Sequence, residues 1–208
     1  MRSSDGYRFT ADKLFETLEN WDNLLKSRVH LIGCGGTALT LLGLKESTKD
    51  IDFIVPNPGE YDRLVRFLKG IGYQEAAGDL THQDDPYFIY QLWRGKRVFT
   101  TELLDSPLET GKHIMIREYH RIYLGALNLV DLIITKMFRG THVDVEDSVA
   151  AFSTGQVDPE ELLDRYSETA LYDLQPEKMM ANFMVLVDKL ASRQLVSQDF
   201  LRRVRSLL

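Results

Sequence analysis

Two acidic side chains flank one apolar residue at the head of the run Asp50-Ile51-Asp52-Phe53-Ile54-Val55. In an extended strand, alternate residues project from one face, so both carboxylates stand together about 6 to 7 Å apart, with Ile51 on the other side. Carboxylates held this close repel and lose solvation, and a cation relieves both costs. Hard oxygen donors select Mg2+ or Mn2+ over zinc. Two such ions, about 3.5 to 4 Å apart, can clamp the attacking oxygen and the leaving phosphate of a displacement. The spacing alone is common: with 31 acidic residues in 208, roughly five acidic i, i+2 pairs arise by chance. Without a special setting, two aspartates exposed at a strand entrance are the better reading.

The setting is a glycine cluster upstream. Gly33, Gly35 and Gly36 surround Cys34 directly after the apolar stretch Val29-His30-Leu31-Ile32. Glycines at a strand end mark a turn that another group approaches closely. A helix opening at that turn offers free amides and a dipole to an anion. A tight strand-to-helix turn without a ligand is the competing reading. Gly33 to Ala38 also satisfies the loose dinucleotide pattern G-x-G-x-x-A. That pattern wants its ribose-binding acid at the carboxyl end of the next parallel strand. Here Asp50 and Asp52 precede their apolar run, so the acids meet the glycine turn only if the second strand runs antiparallel to the first. A Walker A loop is excluded because Gly-Lys-Ser/Thr does not follow Gly36.

The surrounding pattern predicts the elements that hold these residues. Leu14, Leu18, Trp21 and Leu25 recur at helical spacing, giving an amphipathic helix near 11 to 27. The strand at 29 to 32 and a short helix from Thr37 to Leu44 follow, then the acidic strand, which is ended by Pro56 and Pro58. Tyr61, Leu64, Val65 and Leu68 mark another helix. After an irregular acidic loop, Tyr87 to Trp93 and Lys96 to Leu103 read as a hairpin turning at Arg94-Gly95, and His113 to Arg117 as a further strand. From Asn128, which with Asp131 forms a capping pair, the chain reads as helices to the end, with later ones near 144 to 152, 159 to 171, 175 to 192 and 197 to 208. The expectation is an α+β fold with a mixed sheet flanked by helices over residues 1 to 125, and a carboxyl-terminal helical region over 126 to 208.

Composition is that of an ordinary globular chain, with 44% hydrophobic and 27% charged residues. A net charge of −6 supplies no global field toward nucleic acid, which disfavours polymer substrates without excluding local binding. The single Cys34 rules out an internal disulfide and fits a reducing cytosol. Met1 to Thr10 is polar and lacks a signal-like apolar core. The apolar stretch at 127 to 138 is interrupted by Asn128, Asp131, Thr135 and Lys136, too polar for a membrane span. A cytoplasmic chain without membrane partners is expected, its oligomeric state left open.

Leu31-Ile32-Gly33-Cys34-Gly35-Gly36-Thr37-Ala38-Leu39, followed by Lys49-Asp50-Ile51-Asp52-Phe53, resembles the signature of the DNA-polymerase-beta-like nucleotidyltransferase superfamily. That signature is a hydrophobic residue, Gly, then Gly or Ser, a gap (here Thr37 to Lys49), and Asp-hydrophobic-Asp. The wording is similar to small prokaryotic members, uncharacterised or related to abortive-infection toxins and minimal nucleotidyltransferase antitoxins. Downstream, Asp131, Lys136, Arg139, Asp144 and Asp147 resemble the Lys … Arg … Asp-x-x-Asp segment of those relatives. The resemblance implies that Gly35, Gly36 and Thr37 cradle the phosphates of an NTP such as ATP, and that Asp50 and Asp52 hold Mg2+ or Mn2+. It implies transfer of a nucleoside monophosphate to a hydroxyl on an RNA end, a protein side chain or a small molecule, with Lys136 neutralising phosphate charge or positioning the second substrate. A solvated lysine on an amphipathic helix competes with that role.

One departure stands out. The family places a third carboxylate, the general base, on a later central strand, and the stretch Lys96 to Glu102 lacks an aspartate there. Glu102 or Asp105 would supply it through a shifted or bulged strand. A non-catalytic module such as an antitoxin, presenting Met179, Met180, Phe183, Met184 and Leu186 to a partner, is therefore the alternative to an enzyme; ordinary helix-bundle core is the preferred reading of those residues. The five histidines lack metal-ligand spacing, and Tyr87, Phe88, Tyr90 and Trp93 read as a core strand before a base-stacking surface.

Overall fold

The structure is a computed structural model describing residues 8–76, 79–82 and 84–207. Most of the polar stretch from Met1 to Thr10 therefore lies outside the described residues, as does the side chain of Tyr87. The chain forms two compact units. The first comprises residues 1–98 and 105–127, the second 99–104 and 128–208.

The first unit opens with α1 (Ala11–Leu24), followed by β1 (Val29–Gly33), α2 (Gly35–Leu41), β2 (Asp50–Val55) and α3 (Pro58–Gly70). Then come β3 (Tyr73–Ala76), β4 (Asp79–His82), β5 (Asp85–Arg94), β6 (Arg97–Val98), β8 (His113–Glu118) and β9 (Ile122–Leu127). Seven of these strands form one mixed sheet in the order β3-β4-β5-β2-β1-β9-β8. β1 lies antiparallel to β2, as the placement of the acids required, while β1 with β9 and β2 with β5 are parallel.

Strand parity sorts the side chains onto two faces. Val29 and Leu31 of β1, Ile51, Phe53 and Val55 of β2, Phe88, Tyr90 and Leu92 of β5, and Ile122 and Leu124 of β9 share one buried cluster with Leu14, Leu18 and Trp21 of α1 and Leu64 and Leu68 of α3. Leu41 of α2 joins it. The aromatic strand is thus core: Tyr90 lies 5.6 Å from the Trp21 ring and 5.0 Å from Tyr73, whose hydroxyl accepts from Trp21 Nε1 at 3.0 Å. Burial raises the Tyr73 phenol above its ordinary pKa.

Two parts of the sheet differ from the sequence expectation. The acidic loop contains the β3–β4 hairpin, whose polar residues Gln74, Glu75, Asp79 and Thr81 gave no strand signal. The expected long strand from Lys96 to Leu103 is reduced to β6 and, in the second unit, β7 (Thr101–Glu102). Phe99 between them takes φ 53°, a left-handed conformation that breaks extended structure. β5 pairs instead with β2 and β4.

The second unit contains α4 (Leu129–Arg139), α5 (His142–Phe152), α6 (Pro159–Ala170), α7 (Pro176–Ser192) and α8 (Gln198–Arg205). The Asn128 side chain accepts from the Asp131 amide at 2.8 Å, as the capping pair predicted. α4 and α7 approach closely at Gly140, which has φ 66° and leaves only 2.5 Å between a hypothetical Cβ and the Asn182 amide group. Asn182 Nδ2 donates to Met137 O at 3.0 Å across the same contact. Tyr166 stacks on Phe183 with centroids 4.4 Å apart and donates to Met179 O at 2.7 Å. Met179, Phe183 and Leu186 are buried, so these members of the α7 group are bundle core. Among the described residues no helix is long and apolar enough to cross a membrane.

One carboxylate ties α1 to the sheet. Asp22, buried near the end of α1, accepts from the amides of His120, Arg121 and Ile122 at 3.2, 2.6 and 2.8 Å. These are charge-assisted bonds at the entry to β9. Asp22→Ala leaves those amides without their acceptor and is expected to cost about 3 kcal/mol, measured as a lowered denaturation midpoint with an unchanged m-value.

Candidate active site on the polar face of the sheet

The face of the sheet opposite the α1–α3 core carries the candidate residues. The register Ile32↔Ile54 and Gly33↔Phe53 puts the even-numbered residues of β2 on the same side as the even residues of β1. Asp50 and Asp52 therefore share a face with His30 and Ile32. Asp52 is buried at 5% exposure and Asp50 is half-buried.

The glycine turn meets the acids directly. Gly35 adopts φ 56°, and a Cβ placed on it would lie 2.8 Å from Asp52 Oδ2. Only a residue without a side chain lets the carboxylate approach the backbone so closely, and only glycine takes this conformation without strain. At Gly36 a Cβ would lie 2.5 Å from the Thr48 hydroxyl. The sequence-predicted pairing of Asp52 with the Gly35-Gly36 bend is thus a geometric contact.

Short polar side chains hold the acidic strand in place. Paired β1 stops at Gly33, so the backbone of Asp50 to Asp52 extends past its neighbour. The Cys34 amide donates to Asp52 O at 3.1 Å. The Thr37 hydroxyl accepts from the Asp52 amide at 2.9 Å and donates to Asp50 O at 3.2 Å. The Thr48 hydroxyl donates to that same carbonyl at 3.0 Å. The hydroxyl of the fully buried Thr37 is thus engaged by the backbone that carries the two aspartates.

The strand beside β2 brings residues the sequence reading did not assign. β5 runs parallel to β2 with Asp50↔Ile89 and Asp52↔Gln91, so Gln91 stands next to Asp52 on the same face. Gln91 Nε2 donates to Asp79 Oδ1 of β4 at 2.7 Å. Asp52, Gln91 and Asp79 form a row across three adjacent strands. The signal for Gln91 was the strand alternation of Tyr87 to Trp93; what sequence could not supply was that this strand borders β2.

The other expected site residues have settings of their own. Glu102 is exposed on β7, which is not among the seven strands of the sheet. Asp105 pairs with Lys112 at 2.7 Å. Among the described residues, no three Asp, Glu, His or Cys side chains gather as a metal-binding group. Lys136, only 2% exposed, is not a solvated lysine. Its Nζ lies 2.8 Å from Asp147 Oδ2 and 3.7 Å from Asp144 Oδ1, while Arg139 reaches Asp144 at 2.5 Å. Asp144 also closes a capping box with Thr141 at the start of α5. The Lys136, Arg139, Asp144, Asp147 segment is thus an ionic join between α4 and α5.

Among solved structures, the chain is similar to that of an antigenic nucleotidyltransferase-like protein from Paracoccidioides brasiliensis. The two are 13% identical, with a TM-score of 0.54 over 89% of this chain and 93% of that one. The likeness shows the fold: a mixed α/β fold similar to that of this nucleotidyltransferase-like protein, with a mixed sheet flanked by helices. No family model and no curated protein matches the sequence.

Two substitutions test these positioning roles. Thr37→Val keeps shape but strands the buried Asp52 amide, for an expected loss of about 2 kcal/mol in chemical denaturation. Lys136→Met leaves the buried Asp144 and the half-buried Asp147 with one cation fewer and is expected to cost about 3 kcal/mol by the same measurement.

Proposed function

We infer that this chain binds a nucleoside triphosphate with a divalent cation at the Gly35-Gly36 bend and Asp50–Asp52, and transfers the nucleoside monophosphate to a hydroxyl acceptor. The observation that carries this reading is the contact between the Asp52 carboxylate and Gly35 across an antiparallel strand pair. It juxtaposes an acidic pair with a side-chain-free stretch of backbone, an arrangement suited to a polyphosphate neutralised by metal.

The residues fit such an ion by chemistry. Both acids supply hard oxygens, and Gly35, lacking a side chain, lets the Asp52 carboxylate pack against the backbone of the bend. When bound, Mg2+ or Mn2+ would neutralise phosphate charge and polarise the phosphoryl oxygens. The chain's own contribution is positional. Thr37, Thr48 and the Cys34 amide fix the strand bearing the acids, so little reorganisation is needed as charge develops.

A second reading follows from Gln91. An amide, not an acid, stands opposite Asp52, and the sequence resembles prokaryotic antitoxin-type members as well as toxin-type ones. In that reading the chain binds nucleotide without transferring it. Release of pyrophosphate from labelled NTP with any acceptor eliminates it.

The first reading is tested by Asp50→Asn combined with Asp52→Asn. Mg2+-dependent NTP binding, followed by calorimetry, should be abolished. The melting temperature should stay unchanged or rise, because like-charge repulsion is removed. Undiminished binding by the double variant refutes the assignment.

A further inference from the structure

The helical unit carries an apolar cleft that its own side chains leave open. Leu163 and Ala170 of α6, Leu171 at its end, Pro176 and Met180 of α7, and Leu207 just beyond α8 line a space of about 550 Å3. The rim is apolar as well: Leu171, Tyr172 and Leu174, in the connection from α6 to α7, and Leu207 are all exposed. Leu174 is 99% exposed, and in sequence it stands between the lining residues Leu171 and Pro176. A knob and a hole therefore lie side by side on one surface. Large apolar side chains gathered around a cleft mark a surface that another chain covers.

Two observations identify that chain. The first is charge. α6 carries Glu160, Glu161, Asp164 and Glu168 against Arg165, and Arg165 is engaged by Asp131 at 2.6 Å. α8 carries Arg202, Arg203 and Arg205 against Asp199. Asp164 lines the cleft from α6 and Arg203 from α8, so its two walls have opposite sign. Arg203 already pairs with Glu160, an exposed contact of little net worth, while Asp164 and Glu168 face solvent. A two-fold rotation about an axis through the cleft lays the acidic wall of one copy on the basic wall of the other, twice over. The same rotation carries Leu174 of each copy toward the cleft of the other. The second observation is Ser167, whose buried hydroxyl lines the cleft without a hydrogen-bond partner. A purely apolar occupant leaves that hydroxyl unpaired, whereas a polypeptide segment brings peptide N–H and C=O groups to it.

We propose that this face is a self-complementary docking surface for a second copy of the chain, with Leu174 of each copy in the cleft of the other and α6 of each facing α8 of the other. Such a contact closes on itself and gives a dimer without further growth. It lies within the helical unit and is independent of the nucleotide reading.

Sedimentation equilibrium of the full chain should show a dimer at micromolar concentration. Leu174→Asp places a charge where the knob enters and should weaken dimerisation about a hundredfold. Because Leu174 is exposed in the single copy, the circular dichroism of this variant should match that of the unmodified chain. Charge reversal tests the two-fold arrangement. Asp164→Arg/Glu168→Arg and Arg202→Glu/Arg203→Glu each set like charges face to face, and each alone should be monomeric. Mixed in equal amounts they should form a one-to-one dimer, since the reversed walls match in both halves of the contact. If either charge variant loses its helical circular dichroism, Leu174→Asp decides alone. A monomeric unmodified chain overturns the proposal. So does undiminished dimerisation of Leu174→Asp, or a mixture of folded charge variants that stays monomeric.

Discussion

The site depends on how briefly β1 and β2 overlap. β1 pairs with β9 over five residues and β2 with β5 over six, yet β1 and β2 share only the register pairs Ile32↔Ile54 and Gly33↔Phe53. The acidic start of β2 therefore projects beyond the end of β1, where the chain bends at Gly35. A projecting strand leaves backbone groups that must find partners. The Cys34 amide and the hydroxyls of Thr37 and Thr48 supply them. Because two of the three partners are short side chains and not another strand, the acids are fixed while the backbone beside them stays close to the carboxylates.

Much of this arrangement was legible in the sequence, since it depends on local signals. The glycine cluster announced a bend, the Asp-Ile-Asp spacing announced a shared face, and the order of acids before apolar residues demanded an antiparallel neighbour. The place of Gln91 beside Asp52 was not legible, because it depends on which strand borders β2. Arg94-Gly95 suggested a hairpin that would have brought Lys96 to Glu102 alongside. The left-handed Phe99 interrupts that stretch, and β5 itself lies beside β2. β9 escaped notice for a related reason: Ile122–Leu127 is an apolar run containing Gly125, without the alternation that marks a half-exposed strand.

The helical unit shows where pattern reading is ambiguous in principle. Lys136 sits on a helix whose residues from Leu129 to Phe138 are all buried, so periodicity could not say whether its charge faced solvent, substrate or a partner. The downstream charges resolve it. Lys136 and Arg139 lie one turn apart on α4, and Asp144 and Asp147 one turn apart on α5, so two cations meet two carboxylates across the joint. Burial of Lys136 and Asp144 within this group adds little net stability but penalises any other register of the two helices, since each would leave buried charge uncompensated. The matched charges of this segment thus serve the packing of α4 on α5.

Charge balance explains why an amide suits the position next to Asp52. Two unit charges about 5 Å apart repel by about 3 kcal/mol at an effective dielectric constant near 20. A carboxylate in place of Gln91 would face Asp52 on one side and Asp79 on the other, and would meet that cost twice in the absence of a cation. The amide reverses one of those terms, because its NH2 donates to Asp79. The polar face can thus be held in place by the chain's own hydrogen bonds, with the acids fixed by the fold itself.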